Sequence, residues 1–193
     1  MNKVAIYCGS SKGFSETYEQ AVRKLAKLLV KQRIKVVYGA GSAGLMGVLA
    51  DEVLERGGEI FGVIPQFLMD KEVGHEMLTR LEVVADMHIR KKRMVDMSEG
   101  FIAMPGGFGT LDEVFEVLTW EQLSLHTFPV GFYNVNGYYD HLKTFLEHTV
   151  KEGFIKSRYL ENIVFADDPV TLIDSMEAKS RSRQVGKEGK WIN

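Results

Sequence analysis

The chain has 193 residues, 45% of them hydrophobic and 26% charged, with a formal net charge of -2. That length suits one domain with a substantial core, and the near-neutral balance argues against a broad nucleic-acid or membrane surface. Cys8 is the single cysteine, which excludes an intrachain disulfide and points to a reducing, cytoplasmic compartment. No apolar run approaches the ~20 residues of a membrane-spanning helix, and the start, MNKVAIYCGSS, lacks the apolar stretch and cleavage site of a secretory leader.

Strand-like and helical patterns alternate along the chain. Residues 3–8 read as a buried strand. Ser15 is placed to cap a helix reaching about residue 32, with Tyr18, Ala21, Val22, Leu25, Leu28 and Leu29 on one face. Residues 35–38 form the second strand. A glycine loop and a helix over 45–56 follow, and Gly57-Gly58 stops that helix before a third strand at 59–64. Residues 65–80 have weak periodicity and read as a loop or short irregular helices. Then come a strand at 81–84, a charged helix at 87–98, a strand at 101–104, a strong helix at 110–124 and a strand at 130–133. A helix at 138–152, a strand at 163–165 and a helix at 169–178 complete the pattern. Strands alternating with helices predict an α/β fold, a doubly wound, mainly parallel Rossmann-like sheet with helices on both faces. Residues 1–178 are expected to form a single nucleotide-binding domain. Residues 179–193, rich in Lys, Arg, Ser and Gly, are expected to be a flexible tail.

Three glycine-rich or polar turns fall where strands end and helices begin: residues 8–11 (CGSS), 39–44 (GAGSAG) and 105–110 (PGGFGT). In a parallel sheet these ends form the ligand edge. Converging backbone N–H groups and a helix N-terminus suit a phosphate. One such loop is most simply a tight turn. Three on one edge point to an anion site, with Gly9, Ser10, Gly39, Gly41, Ser42 and Gly106 as phosphate-loop candidates. Gly39, Gly41 and Gly44 match the G-x-G-x-x-G dinucleotide fingerprint. The next strand, however, ends Gly62-Val63-Ile64-Pro65-Gln66 without the acidic residue that would hold the ribose, which argues against NAD.

In the helix after the third loop, Leu111, Val114, Phe115 and Leu118 form a core-facing stripe. Glu113 lies off it. Thr110-x-x-Glu113 is a complete capping box, which accounts for the pair without any function. The glycines immediately before it favour a site instead. The run from Met87 to Arg93 carries four basic side chains and most resembles a solvated helix face. It also opens at a strand end, where Arg90 is placed to fork onto a phosphate or a carboxylate. His75, His88, His126, His141 and His148 are scattered without metal-ligand spacing. No metal and no cofactor are expected.

Residues 105–113 (PGGFGTLDE) resemble the PGGxGTxxE signature of the LOG family, the cytokinin riboside 5′-monophosphate phosphoribohydrolases, often labelled lysine decarboxylase-like. Residues 7–11 (YCGSS), 39–47 (GAGSAGLMG), 86–91 (DMHIRK), 119–123 (TWEQL) and 134–139 (NVNGYY) are similar to further segments of that family. The resemblance covers roughly residues 3–165. It implies hydrolysis of the N-glycosidic bond of a cytokinin-type nucleoside 5′-monophosphate or AMP, as in cytokinin biosynthesis. It also implies Arg90 and Glu113 as the catalytic pair, and substrate contacts from Glu72, Lys91, Gly107, Phe108, Gly109, Thr110, Leu111, Asp112 and Thr119. It implies a homodimer with sites near the interface and a small-molecule nucleotide as the partner, with neither nucleic acid nor membrane involved. Four departures stand out: Ala40 where Gly is common, Ile89 for Glu or Gln, Asp112 for Glu, and Phe108 for Tyr. The alternatives are a nucleotide-binding sensor that does not turn over, a pyridoxal-phosphate decarboxylase and an NAD oxidoreductase.

Overall fold

A computed structural model describes residues 1–71, 74, 75 and 77–188, the last six as backbone only. Seven strands form one all-parallel sheet: β1 (Lys3–Tyr7), β2 (Lys35–Tyr38), β3 (Ile60–Pro65), β4 (Arg80–Val84), β5 (Phe101–Ala103), β6 (Val130–Tyr133) and β7 (Ile163–Ala166). Their spatial order is β4-β3-β2-β1-β5-β6-β7. The chain winds outward from β1 to β4, crosses over, and winds outward again from β5. The switch point therefore lies between β1 and β5, and the crevice beyond their carboxyl ends is where this architecture takes ligands.

Both faces of the sheet are buried, so side chains alternate between two cores instead of between core and water. Val4 and Ile6 enter one core with α1 (Glu16–Lys31), α2 (Gly44–Glu55) and α8 (Pro169–Glu188). Ala5 and Tyr7 enter the other with α4 (Met87–Asp96), α5 (Phe108–Gln122) and α6 (Asp140–Lys151). The doubly wound expectation holds.

Among the described residues of 65–80 there is a short helix, α3 (Gln66–Met69), as expected of that stretch. The departures are local. A further short helix, α7 (Ser157–Leu160), lies between α6 and β7. A single turn is too short to carry a period. The helix expected at 138–152 forms as α6, starting two residues later, and a 3₁₀ turn at Val135–Gly137 precedes it, with Asn136 left-handed at φ 53°. The last helix runs ten residues past its expected end at 178, so residues 179–188 are helical where a tail was expected. Lys, Arg, Gln and Glu are good helix formers, and Arg181 pairs with Glu177 one turn back. Residues 189–193 lie outside the described residues. Among the described residues no helix is long and apolar enough to cross a membrane.

Candidate active site

The three glycine loops meet at the switch point. Gly9 links all of them: its N–H donates to the Pro105 carbonyl at 3.1 Å, and its own carbonyl accepts from the Leu45 N–H at 3.0 Å. Such approach leaves no room for side chains. A Cβ on Gly44, whose φ is +62°, would lie 2.2 Å from the Ser10 carbonyl carbon. One on Gly106 would lie 2.1 Å from Thr110 Oγ1. Ala40 is itself left-handed, at φ 61°. A left-handed residue favours glycine, which is the physical content of that departure.

The helix N-termini at this edge differ. Asp86 caps α4 by accepting from the Ile89 N–H at 2.8 Å. The N-terminus of α5 has no such cap. It starts at Phe108, two residues before the predicted 110, with Gly107 extended at the N-cap position and no side chain to accept its N–H groups. The first helical bond is from the Leu111 N–H to the Gly107 carbonyl, at 3.1 Å. The N–H groups before it have no partner within the helix and lie at the positive end of its dipole. The Thr110–Glu113 capping box is therefore not formed, because Thr110 stands inside the first turn.

A cavity of about 460 Å³ opens in front of that turn. It brings together Gly9, Ser10, Gly39, Gly41, Arg90, Gly107, Phe108, Gly109, Thr110, Asp112 and Glu113 of the expected residues. Gly106 lines an adjoining cavity of about 310 Å³ that shares Gly9, Ser10 and Gly107. Ser42 sits in the loop entering α2, its carbonyl against Gly47. Leu111 and Thr119 fall elsewhere, and Lys91 is not among the residues lining the cavity. Leu111 packs into the core under α5. Thr119 donates to the Phe115 carbonyl and lines a separate apolar cavity with Leu118, Ile155 and Tyr159. Glu72 lies outside the described residues. The cavity's apolar wall of Met46, Ile64, Leu68 and Met87 was not legible in the sequence. Met46 stands inside a glycine motif, and Leu68 lies in the stretch with no clear period.

Arg90 and Glu113 form the centre. Both are 8% exposed. Arg90 turns inward from a helix whose His88 and Lys92 face solvent. Its Nη1 lies 2.9 Å from Glu113 Oε1, and its Nε donates to the Val63 carbonyl at 3.1 Å. The ion pair is close but off-axis, so Oε1 accepts no aligned hydrogen bond. Burial pushes the Glu113 carboxyl above its ordinary range; Arg90 opposes the shift, Asp112 adds to it, and Lys91 opposes it. Lys91 is held between Asp112 at 3.1 Å and Glu116 at 3.2 Å. Burial drives its ammonium down, but these two carboxylates outweigh that and leave its affinity for the proton raised. Cys8 also lines the cavity, and burial first and Glu113 second push its thiol up, which disfavours the thiolate a nucleophile needs.

A family model described as "Possible lysine decarboxylase" matches residues 46–176. A cytokinin riboside 5′-monophosphate phosphoribohydrolase of Arabidopsis thaliana is 47% identical over 91% of this chain and 77% of its own. The chain belongs to the LOG family. A second Arabidopsis relative of the same description is 42% identical over 98% of this chain and 89% of its own. A probable phosphoribohydrolase from Oryza sativa subsp. japonica is 43% identical over 98% and 78%. Among solved structures, a molybdenum cofactor binding protein from Rippkaea orientalis has a TM-score of 0.68 at 18% identity, covering 91% of this chain and 95% of that one. A molybdenum cofactor carrier protein from Chlamydomonas reinhardtii has a TM-score of 0.69 at 17%, covering 93% and 98%. At these identities the likeness is one of fold. Fold alone does not separate carriers from hydrolases, so the residues of the site carry the functional argument.

Proposed function

We propose that the protein is a phosphoribohydrolase that cleaves the N-glycosidic bond of a nucleoside 5′-monophosphate, either AMP or a cytokinin-type, N6-substituted relative. The observation that carries this reading is Glu113: a buried carboxylate ion-paired with Arg90, lining the same cavity as the uncapped N-terminus of α5.

The 5′-phosphate would sit on the first turn of α5, against Gly107, Phe108, Gly109 and Thr110, with Gly9 and Ser10 opposite. Uncapped N–H groups and the helix dipole supply the attraction. Glu113 is one turn further in, beside the ribose. Cleavage passes through an oxocarbenium-like state at C1′. An ionised Glu113 stabilises that positive charge and orients the attacking water. Water adds to C1′, the bond to the base nitrogen breaks with its electron pair leaving on the base, and one proton of the water ends on the base. The products are free base and ribose 5-phosphate. The apolar wall of Met46, Ile64, Leu68 and Met87 would receive the base. A pyridoxal-phosphate decarboxylase needs a lysine for its Schiff base, and among the described residues lining the cavity none is a lysine.

The reading extends to residues 1–178 working as one nucleotide-binding unit, to a cytoplasmic setting consistent with the single cysteine, and to a homodimer. Incubation with AMP and with isopentenyladenosine monophosphate, followed by chromatography, tests it. Release of free base with ribose 5-phosphate is expected, and the rate ratio names the preferred nucleotide. Tight AMP binding with no release from either nucleotide would mean a binding protein instead.

A further inference from the structure

The second glycine loop carries four glycines within nine residues, and they meet different neighbours. A Cβ on Gly44 or Gly47 would strike backbone, 2.2 Å from the Ser10 carbonyl carbon or 2.1 Å from the Ser42 carbonyl oxygen. A Cβ on Gly41 would meet the flexible end of Met46. Gly39 differs from all three. A Cβ there would lie 1.8 Å from Arg90 Nη2 and 3.0 Å from Arg90 Cζ. Its backbone is not left-handed, so the conformation itself does not demand glycine.

The Arg90 guanidinium is thus held on three sides. Nε donates to the Val63 carbonyl near the end of β3, Nη1 meets Glu113 on α5, and Nη2 fills the space where a side chain on residue 39 would stand. We infer that Gly39 is a positioning residue for the Arg90–Glu113 pair, its missing side chain being the seat of the guanidinium, and not primarily a phosphate-loop glycine. This rests on the proposed reading of that pair as the working centre.

The two roles separate in experiment. The atoms in the way of a side chain at 39 are the far end of a flexible arginine, so Gly39→Ala is accommodated by moving Arg90 and not by displacing backbone. Displacing Arg90 leaves Glu113 in place but changes its surroundings. The groups facing Glu113 are Arg90 and Lys91 from α4, Asp112 on α5, and Tyr7 and Cys8 at the end of β1. Of these, Arg90 is the strongest influence keeping the carboxylate ionised.

The experiment is a four-protein cycle of wild type, Gly39→Ala, Arg90→Met and the double variant, read in pH–rate profiles and in urea unfolding. Gly39→Ala is expected to lower kcat on the order of 10²-fold, the scale of a misplaced catalytic group. KM should change little, and the acid limb should move to higher pH. On top of Arg90→Met, Gly39→Ala should add no further change in kcat, in the acid limb or in stability. A raised KM with unchanged kcat and acid limb would return Gly39 to phosphate binding. Equal loss of stability with and without Arg90, or a Gly39→Ala protein that fails to fold even with Arg90→Met, would also overturn the inference. If wild type turns over neither nucleotide, the hydrolase reading fails, and the stability arm still decides whether residue 39 seats Arg90.

Discussion

Glu113 has two opposing physical roles, and pH separates them. Its carboxyl lies above the ordinary range because burial outweighs the attraction of Arg90. For catalysis the ionised form is the useful one, so kcat/KM should fall on the acid side at a pH above the ~4.3 of a free glutamate. Glu113→Gln should lower kcat by on the order of 10²–10⁴-fold while the fold persists. For stability the sign is opposite. A carboxyl raised in the folded state stabilises the fold below its unfolded value, and that contribution is lost as pH rises through the folded value. Above the folded value the ionised group therefore costs stability, and Glu113→Gln should there melt at or above the wild-type temperature. The gap should close as pH falls and wild type takes up its proton. A glutamine variant that melts lower at pH 7, by a margin growing with pH, would mean that the ion pair outweighs burial. The sequence identified both members of this pair by their resemblance to a family signature. It could not reveal their contact, because residues 90 and 113 sit on different helices and only the switch point brings them together.

At the scale of elements, the decisive detail is where α5 begins. Thr110 and Glu113 have the spacing of a capping box, and that pattern placed the helix start at 110. Gly107 is free to sit extended at the N-cap, so the helix gains two residues and its first N–H groups stay available to a ligand. A start two residues earlier replaces a structural cap with the free N–H groups that the proposed phosphate contact requires, a shift of the size by which helix ends commonly vary. The loop feeding α5 is held from the other side by Tyr139, the residue before α6. Its hydroxyl donates to the Met104 carbonyl at 2.6 Å, both residues being buried. Tyr139→Phe leaves that carbonyl without its partner, which costs about 1–3 kcal/mol. A urea midpoint lowered accordingly, with a weaker phosphate contact read as a raised KM for the nucleotide, is the expected outcome. An unchanged midpoint would show that the loop holds its shape without this bond. Elements with a clear apolar stripe, such as α1 and α5, were legible from pattern alone, and α2 from the glycines that flank it. The one-turn helix α7 and the extension of α8 were not, since neither bears a buried stripe long enough to read.

At the scale of the whole molecule, strand and helix alternation was enough to give a parallel, doubly wound sheet, but not the strand order that makes β1 and β5 neighbours. That order puts most of the matched positions around one cavity and leaves Thr119 out. Thr119 is six residues along α5 from Glu113, about 9 Å at 1.5 Å per residue, and it lines a different, apolar cavity. Leu123 and Leu125, just beyond, are 63% and 68% exposed. If Thr119 contacts a nucleotide, as its match to the family implies, the nucleotide belongs to a second copy of the chain. An isologous dimer would bring each Thr119 to the other subunit's site. Light scattering should then give twice the chain mass of 21.8 kDa. Thr119→Arg and Glu113→Gln should each be inactive alone. Mixing them in equal amounts, with exchange of subunits, puts half of the chains in mixed dimers, each with one intact site. About a quarter of wild-type activity should return. A dimer of the expected mass with no activity regained on mixing would confine Thr119 to its own subunit, and a monomer would remove the argument at its root.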